Sequence, residues 1–156
     1  MSSLLTEELA FLASVDPQSV AAAASVTTDV IDMRLFPHVV FGLQTGAFTD
    51  DATRVNVQVY VNSANSTSSP TPVAITGKTF ANATFSHSLA GANAQGLIEV
   101  SGSEAAEALA GGRYVFATAT VTGANAVLLN MFALGGKPRY EDASAYDLAS
   151  VREIIS

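Results

Sequence analysis

From Arg54 to Asn62 the chain alternates, with Val55, Val57, Val59 and Val61 on one side and Arg54, Asn56, Gln58, Tyr60 and Asn62 on the other. Strand side chains point to opposite faces with period two, so this stretch predicts a strand of an antiparallel sheet with one dry face and one wet face. Arg113 to Val121 repeats the pattern, setting Val115, Ala117, Ala119 and Val121 against Tyr114, Phe116, Thr118 and Thr120, and predicts a central strand. A turn at Thr122-Gly123-Ala124-Asn125 leads into the apolar run Ala126 to Leu134, and the two runs predict a β-hairpin. Shorter runs of β formers predict strands at Val26 to Met33, Val39 to Gln44, Val73 to Ile75, Lys78 to Phe85 and Gly96 to Ser101. Ser103 to Leu109 carries helix formers behind a Ser cap and stops at Gly111-Gly112, which predicts one or two helical turns crossing the end of the sheet.

The two ends follow a different period. Ser3 can cap a first turn in which Glu7 and Glu8 favour the positive end of a helix dipole, and Leu5, Leu9 and Leu12 with Phe11 recur at helical spacing. Asp16-Pro17 then reads as a new N-cap and first position, continued by Val20 to Ala24. The segment Ser2 to Ala24 is therefore expected to be helical. Leu4, Leu5, Leu9, Phe11 and Leu12 need a surface to cover, either the domain's own sheet or a neighbouring subunit. At the other end, Pro138 holds Lys137-Pro138-Arg139-Tyr140 extended, and Asp147 to Ile155 predicts a short helix with Leu148, Val151, Ile154 and Ile155 on one face. The expected organisation is an N-terminal helical arm over residues 1–25, a β domain over 26–136 and a tail over 137–156. Between strands, the Ser/Thr/Asn/Pro tract Ser63 to Pro72 is too polar to bury and predicts a long exposed loop.

Composition narrows the function classes. The 156 residues suit one domain, and the absence of cysteine removes both a disulfide framework and thiolate metal sites. Fourteen acidic against seven scattered basic residues argue against a sequence-independent grip on nucleic acid, which needs clustered Lys or Arg. Only 13% of the chain is charged, so the surface carries few charges; this fits either a protein that lies against neighbours or a plain Ala- and Thr-rich β fold. No stretch has the run of about 18 to 20 apolar residues that spans a membrane. The N-terminus has Glu7 and Glu8 and no Lys or Arg, the reverse of a secretory leader, and is expected to belong to the mature protein.

The chain carries few of the patterns that chemistry requires. There is no phosphate-binding glycine loop, no G-x-S-x-G elbow and no zinc spacing. His38 and His87 stand far apart without a partner nucleophile and read as structural. Asp50-Asp51 reads as a solvated turn, because neighbours in an extended segment point to opposite sides. Asp29, Asp32, Glu99, Glu104 and Glu107 are carboxylates without a spacing that pairs them for glycoside chemistry. The expectation is a non-enzymatic protein with no catalytic residue, metal or cofactor.

The segment Val30-Ile-Asp-Met-Arg-Leu-Phe-Pro-His-Val-Val-Phe-Gly-Leu-Gln-Thr-Gly46 with the alternating valine strand after it, and Gly112-Arg-Tyr-Val-Phe-Ala-Thr-Ala-Thr-Val-Thr-Gly-Ala-Asn125 closing on Gly136-Lys-Pro-Arg-Tyr140, resemble small virion proteins of tailed bacteriophages. These are the capsid cement or decoration proteins, and the resemblance spans roughly Val30 to Tyr140. It implies an all-β, jelly-roll-like antiparallel β-sandwich on the outer surface of a phage head, commonly a homotrimer, with the major capsid protein and its own copies as partners and neither nucleic acid nor membrane. The candidate inter-subunit contacts are then the apolar residues of the arm together with Pro138, Arg139, Tyr140, Leu148, Val151, Ile154 and Ile155. A different class stays open beside it: a glycan- or host-binding module of a phage tail or adhesin, reading its ligand through the Ser63 to Pro72 loop.

Overall fold

A computed structural model of the chain describes residues 8–86, 93–140, 143–149 and 151. The fold is mostly β. Among the described residues nine strands follow one another as β1 (Leu9–Val20), β2 (Ser25–Thr27), β3 (Ile31–Asp32), β4 (His38–Thr45), β5 (Arg54–Asn62), β6 (Val73–Ser86), β7 (Gln95–Ser101), β8 (Tyr114–Thr122) and β9 (Val127–Gly136), with a helix, α1 (Gly102–Ala108), between β7 and β8 and a 3-10 turn at Ala143–Tyr146. They form two antiparallel sheets. One has the order β1-β9-β4-β7, the other the order β2-β8-β5-β6 with β3 also on β8.

The inward side chains of both sheets share one core. Val55, Val57, Val59 and Val61 of β5 and Val115, Ala117, Ala119 and Val121 of β8 meet Val39, Phe41 and Leu43 of β4 and Val127, Leu129, Met131 and Ala133 of β9 in a single buried cluster. The alternation in the sequence is thus the alternation of core and exterior, and the two patterned segments pair in register from Arg54↔Thr122 to Asn62↔Tyr114. Asn62 departs from the expected wet face. It is fully buried, because its side-chain amide donates to the carbonyls of Ser66 (2.8 Å) and Pro70 (2.9 Å) and draws the exposed loop between β5 and β6 against the strand end.

Three expectations are corrected. The segment expected to be a helical arm is, over Leu9–Val20, a strand: nine of its residues pair with β9, from Leu9↔Gly136 to Val20↔Val127, and Ala10, Ala13, Val15 and Val20 enter the core. Its helical spacing is produced by irregularities in the ladder, one between Phe11 and Ala13 and one between Val15 and Gln18. Pro17, which has no N–H for the ladder, sits in the second of these, where a strand tolerates it. Ala21–Ala24 is a turn, closed by the Ala24 amide on the Ala21 carbonyl at 3.2 Å, and residues 1–7, with Leu4 and Leu5, lie outside the described residues.

The expected hairpin of β8 and β9 does not form either. The two strands belong to different sheets, so the turn at Thr122–Asn125 carries the chain across the core rather than back along its neighbour. Local turn chemistry specifies a reversal but not a partner, and β8 already has β5 on one side and β2 and β3 on the other. The crossing is clasped. Asp50 accepts the Ala52 and Thr53 amides (2.8 and 2.6 Å) and the Asn125 side-chain amide, while Thr53 Oγ1 accepts the Asn125 backbone amide at 3.2 Å. Gly123, at φ +106°, lies so close to Ala52 that a Cβ would fall 2.5 Å from its carbonyl oxygen.

The tail does not stand apart as a helix. Its described part folds back on the domain: the Arg139 amide donates to Leu35 O (2.9 Å), Tyr146 meets Phe36 edge-on at 5.2 Å, and the Leu148 amide donates to Phe11 O (2.8 Å). Residues 147–149 and 151 are not helical, and Ile154 and Ile155 lie outside the described residues. Smaller departures follow from hydrogen bonding. Val26 to Met33 is interrupted where Thr28 turns its hydroxyl to the Ala117 amide (3.1 Å), and β6 runs through Gly77 as one strand. The helix α1 is capped by Ser101 rather than Ser103, in a reciprocal capping box with Glu104.

Candidate functional site: the outer face of the four-stranded sheet

The strand registers lay the outward residues of the β1-β9-β4-β7 sheet in rows. Glu99, Val40, Leu134 and Phe11 form one row across β7, β4, β9 and β1, and Leu97, Gly42, Phe132 and Ser14 form the next. An amide row follows, Gln95, Gln44 and Asn130, and beyond it Leu128. Three of the apolar members stand open to solvent, while Val40, Phe132 and Leu134 are half-buried. Leu97 is 66% exposed, Leu128 54% and Phe11 45%. Phe132 lies flat in its row because Gly42 beside it has no side chain; a Cβ there would overlap the ring.

Charge is nearly absent from this sheet. Its four strands contain no Lys or Arg and only two carboxylates, Asp16 on β1 and Glu99 on β7, although the whole chain carries a net charge of −7. Glu99 stands 3.5 Å from His38 Nδ1 at one corner. The side chains of Gln44, Gln95 and Asn130 have no hydrogen-bond partner among the described residues, so this row offers both donors and acceptors.

Of the contact residues expected from the sequence, the structure brings three together here. Leu148 and Val151 line a groove with Phe11, Phe132 and Asn130, fastened by the Phe11 amide on Asp147 Oδ1 (2.7 Å) and the Leu148 amide on Phe11 O. Leu12 turns the other way, into the core beside Gly135, and Leu9 is half-buried at the sheet's end. Arg139 and Tyr140 are exposed, Tyr140 by 74%, and Pro138 is half-buried between the sheet and them. Sequence reasoning missed Leu97, Leu128 and Phe132. The available signal was the run Val127-Leu128-Leu129-Asn130-Met131-Phe132-Ala133-Leu134, which is apolar at odd and even positions alike, as in a strand whose two faces are both meant to be covered.

The remaining polar clusters are tied up in holding the fold. Asp32 and Arg113 pair bidentately and join β3 to the start of β8; burial raises the Asp32 pKa, but hydrogen bonds from Arg113 and the Arg34 amide outweigh it and leave the group below the usual range. Lys78 of β6 bonds Glu104 at 2.7 Å, and with the Ser101 amide brings the Glu104 pKa down to about 2. Asp50 is also lowered, first by the Thr53 amide and then by its other donors. Asp50 therefore acts as a turn clasp, in keeping with the expected solvated turn. Among the described residues no group of three or more His, Asp or Glu side chains is placed to hold a metal ion, and no helix is long and apolar enough to cross a membrane. His87 lies outside the described residues.

No protein-family model matches the chain, and no curated protein matches it.

Proposed function

We propose that this protein is a structural virion protein of the capsid cement or decoration type, a jelly-roll-like β-sandwich that binds the outer surface of a phage head and strengthens the shell by bridging its subunits. The observation that carries this reading is the allocation of strands. Successive strands fall in alternate sheets, with only the β2–β3 and β5–β6 connections staying in one sheet. The orders β1-β9-β4-β7 and β2-β8-β5-β6 are those that two Greek keys generate when wrapped into a jelly roll, an architecture used by viral capsid and lectin domains. The resemblance in sequence points the same way. On this reading the major capsid protein is the partner, and Arg139 and Tyr140 at the exposed end of the sheet contact it; many modest contacts then stabilise the shell by mass action.

Because Leu9–Val20 is a strand of the sheet, truncating residues 1–25 would remove part of the fold and is not a clean test. Co-sedimentation with undecorated heads is. Saturable binding that raises the temperature of genome release, weakened several-fold by Tyr140→Ala, is the expected result; a protein that stays in the supernatant at every ratio defeats the reading. A glycan-binding module is the second reading, favoured by the loop from residue 63 to 72, which is exposed yet held in one shape by Asn62 and by Ser66 Oγ on the Ser68 and Ser69 amides. Glycan-array binding that disappears on shortening this loop would select it instead.

A further inference from the structure

We propose that the outer face of the β1-β9-β4-β7 sheet carries a binding site for a neutral oligosaccharide, in which the Phe132 ring is the stacking platform and the amides of Gln44, Gln95 and Asn130 read the sugar hydroxyls. The inference goes beyond the shell-binding reading and does not depend on it. It also sets the sugar on the sheet rather than at the loop over residues 63–72.

The platform follows from two facing residues. Phe132 and Gly42 are cross-strand partners on the outside of β9 and β4. A Cβ built on Gly42 would fall 2.5 and 2.6 Å from the two Cε atoms of Phe132, almost as close as to Cζ. A point in the ring plane beyond its tip would lie markedly nearer to Cζ than to either Cε, so the glycine sits beneath the face of the ring. Gly42 is accordingly buried, and the ring lies flat on the sheet with its other face outward. Phe132 borders two depressions, one of 360 Å³ toward β7 and one of 270 Å³ toward β1, and the outer face is reached from both. A pyranose presents a face of C–H groups whose partial positive charge suits the negative face of an aromatic ring.

The amides stand beside this ring. Gln95 pairs across the ladder with Gln44, and Gln44 with Asn130, which lies two positions before Phe132 on the same face of β9. With strands about 4.8 Å apart, the row runs roughly 10 Å along the edge of the platform. Each amide offers two N–H donors and a carbonyl acceptor, and none is engaged among the described residues. Gln44 and Gln95 line the 360 Å³ depression and, with Asn130, another of 280 Å³ on the side of Leu128. The larger falls within the roughly 300–1,000 Å³ of small-ligand sites, which set a few placed polar groups in an apolar lining. Amides alone would make an ordinary wet surface; a ring laid flat beside unengaged amides supplies both contacts that a sugar requires. On the opposite sheet, Gln58 uses its amide on three carbonyls and Phe116 its face on Tyr60.

Charge sets the class of sugar. The four strands carry no Lys or Arg, and their carboxylates are Asp16, bordering the depression toward β1, and Glu99, two positions after Leu97. The carboxylate of a sialic or uronic acid would find no cation on these strands and would be repelled by a chain of net charge −7, so the ligand is neutral. Leu148 and Val151 of the tail close the far side.

A glycan array tests this with the purified chain and no capsid, setting neutral glucans, mannans and galactans beside sialylated and uronic-acid glycans. Binding is expected among the neutral ones. With the neutral glycan of highest signal, calorimetric titration should show Phe132→Ala weakened at least about tenfold and Phe132→Tyr, which keeps the ring, within about twofold of the wild type. Gly42→Ala, which lifts the platform from beneath without reaching the sugar, and Gln44→Ala, which removes a donor and an acceptor, should each weaken binding several-fold. Shortening the loop over residues 63–72 should leave it unchanged. Absence of binding to every neutral glycan, preference for the acidic ones, or a Phe132→Ala protein that binds as the wild type would overturn the inference. Binding that is lost on shortening the loop and indifferent to Phe132→Ala would overturn it while upholding the loop reading. Circular dichroism of each variant separates loss of the site from loss of the fold.

Discussion

The two sheets of this protein close over one core but present opposite exteriors. On the five-stranded sheet most outward groups satisfy each other, the exception among the described residues being Asn56 Oδ1, which is buried without a partner. Ser25 and Thr27 of β2 bond Thr120 and Thr118 of β8 hydroxyl to hydroxyl at 2.8 and 3.0 Å, the Gln58 amide donates to the carbonyls of Val59, Ile75 and Lys78, and Tyr60 stacks on Phe116 at 5.6 Å. Phe116 is only 2% exposed although it points away from the core. On the four-stranded sheet, by contrast, apolar side chains stand in solvent and the amides between them are unpaired among the described residues. A face finished largely by its own contacts needs no partner, whereas a face of exposed Leu and Phe beside free amides gains stability from being covered.

The two faces differ most at two phenylalanines. Phe116→Ala should cost about 3–5 kcal/mol, as for a buried core ring, whereas Phe132→Ala, on the open face, should cost well under half as much in the monomer. Urea unfolding at low protein concentration measures both, and equal losses would erase the distinction between the faces. Next comes Gly42→Val, whose side chain must displace the Phe132 ring; a loss of about 1–3 kcal/mol is expected, with a lower thermal midpoint. The seam where α1 and β6 meet responds to acid. With its pKa lowered from 4.5 to about 2, Glu104 contributes stability that is complete above its unfolded value and is lost as the pH falls from about 4.5 toward 2. Lys78→Ala should flatten that part of an acid-unfolding curve by lowering stability near neutrality, modestly because the pair is partly exposed, while leaving stability below about pH 2 unchanged. Smallest of all, Leu128→Lys should alter monomer stability by less than about 0.5 kcal/mol, and differential scanning calorimetry at low concentration would detect a larger change.

Much of this architecture was legible where a strand has one dry face. The alternations at Arg54–Asn62 and Tyr114–Thr122 gave β5 and β8 almost to the residue, and the short helix after β7 announced itself by its Ser and Gly punctuation. What escaped was set by distant partners. Leu5, Leu9 and Leu12 fit a helical stripe, yet β9 takes up Leu9–Val20 as a strand because its ladder and the core behind it outweigh local propensity. The turn at Thr122–Asn125 reads identically whether the chain returns beside β8 or crosses to the other sheet, and only the clasp from Asp50 and Thr53, some seventy positions earlier, distinguishes them. The open face escaped for a related reason: Leu97 and Leu128 lie far apart in the chain, and no local pattern reports that two strands set them on the same side of one sheet.

The pairing of β1 with β9 has a temporal side. Phe11 and Asp147, which bond one another, are 136 positions apart, and the ladder beneath them joins the first strand to the last. On the ribosome, β1 therefore emerges long before its partner exists, and its apolar side chains must wait while the intervening strands are made. Closing so many long loops is slow, which predicts refolding in the range of milliseconds to seconds, with the assembly of β1 onto β9 as a late event. A transient binder that shields Leu9 to Val15 during synthesis would raise the yield of native protein without touching the finished fold.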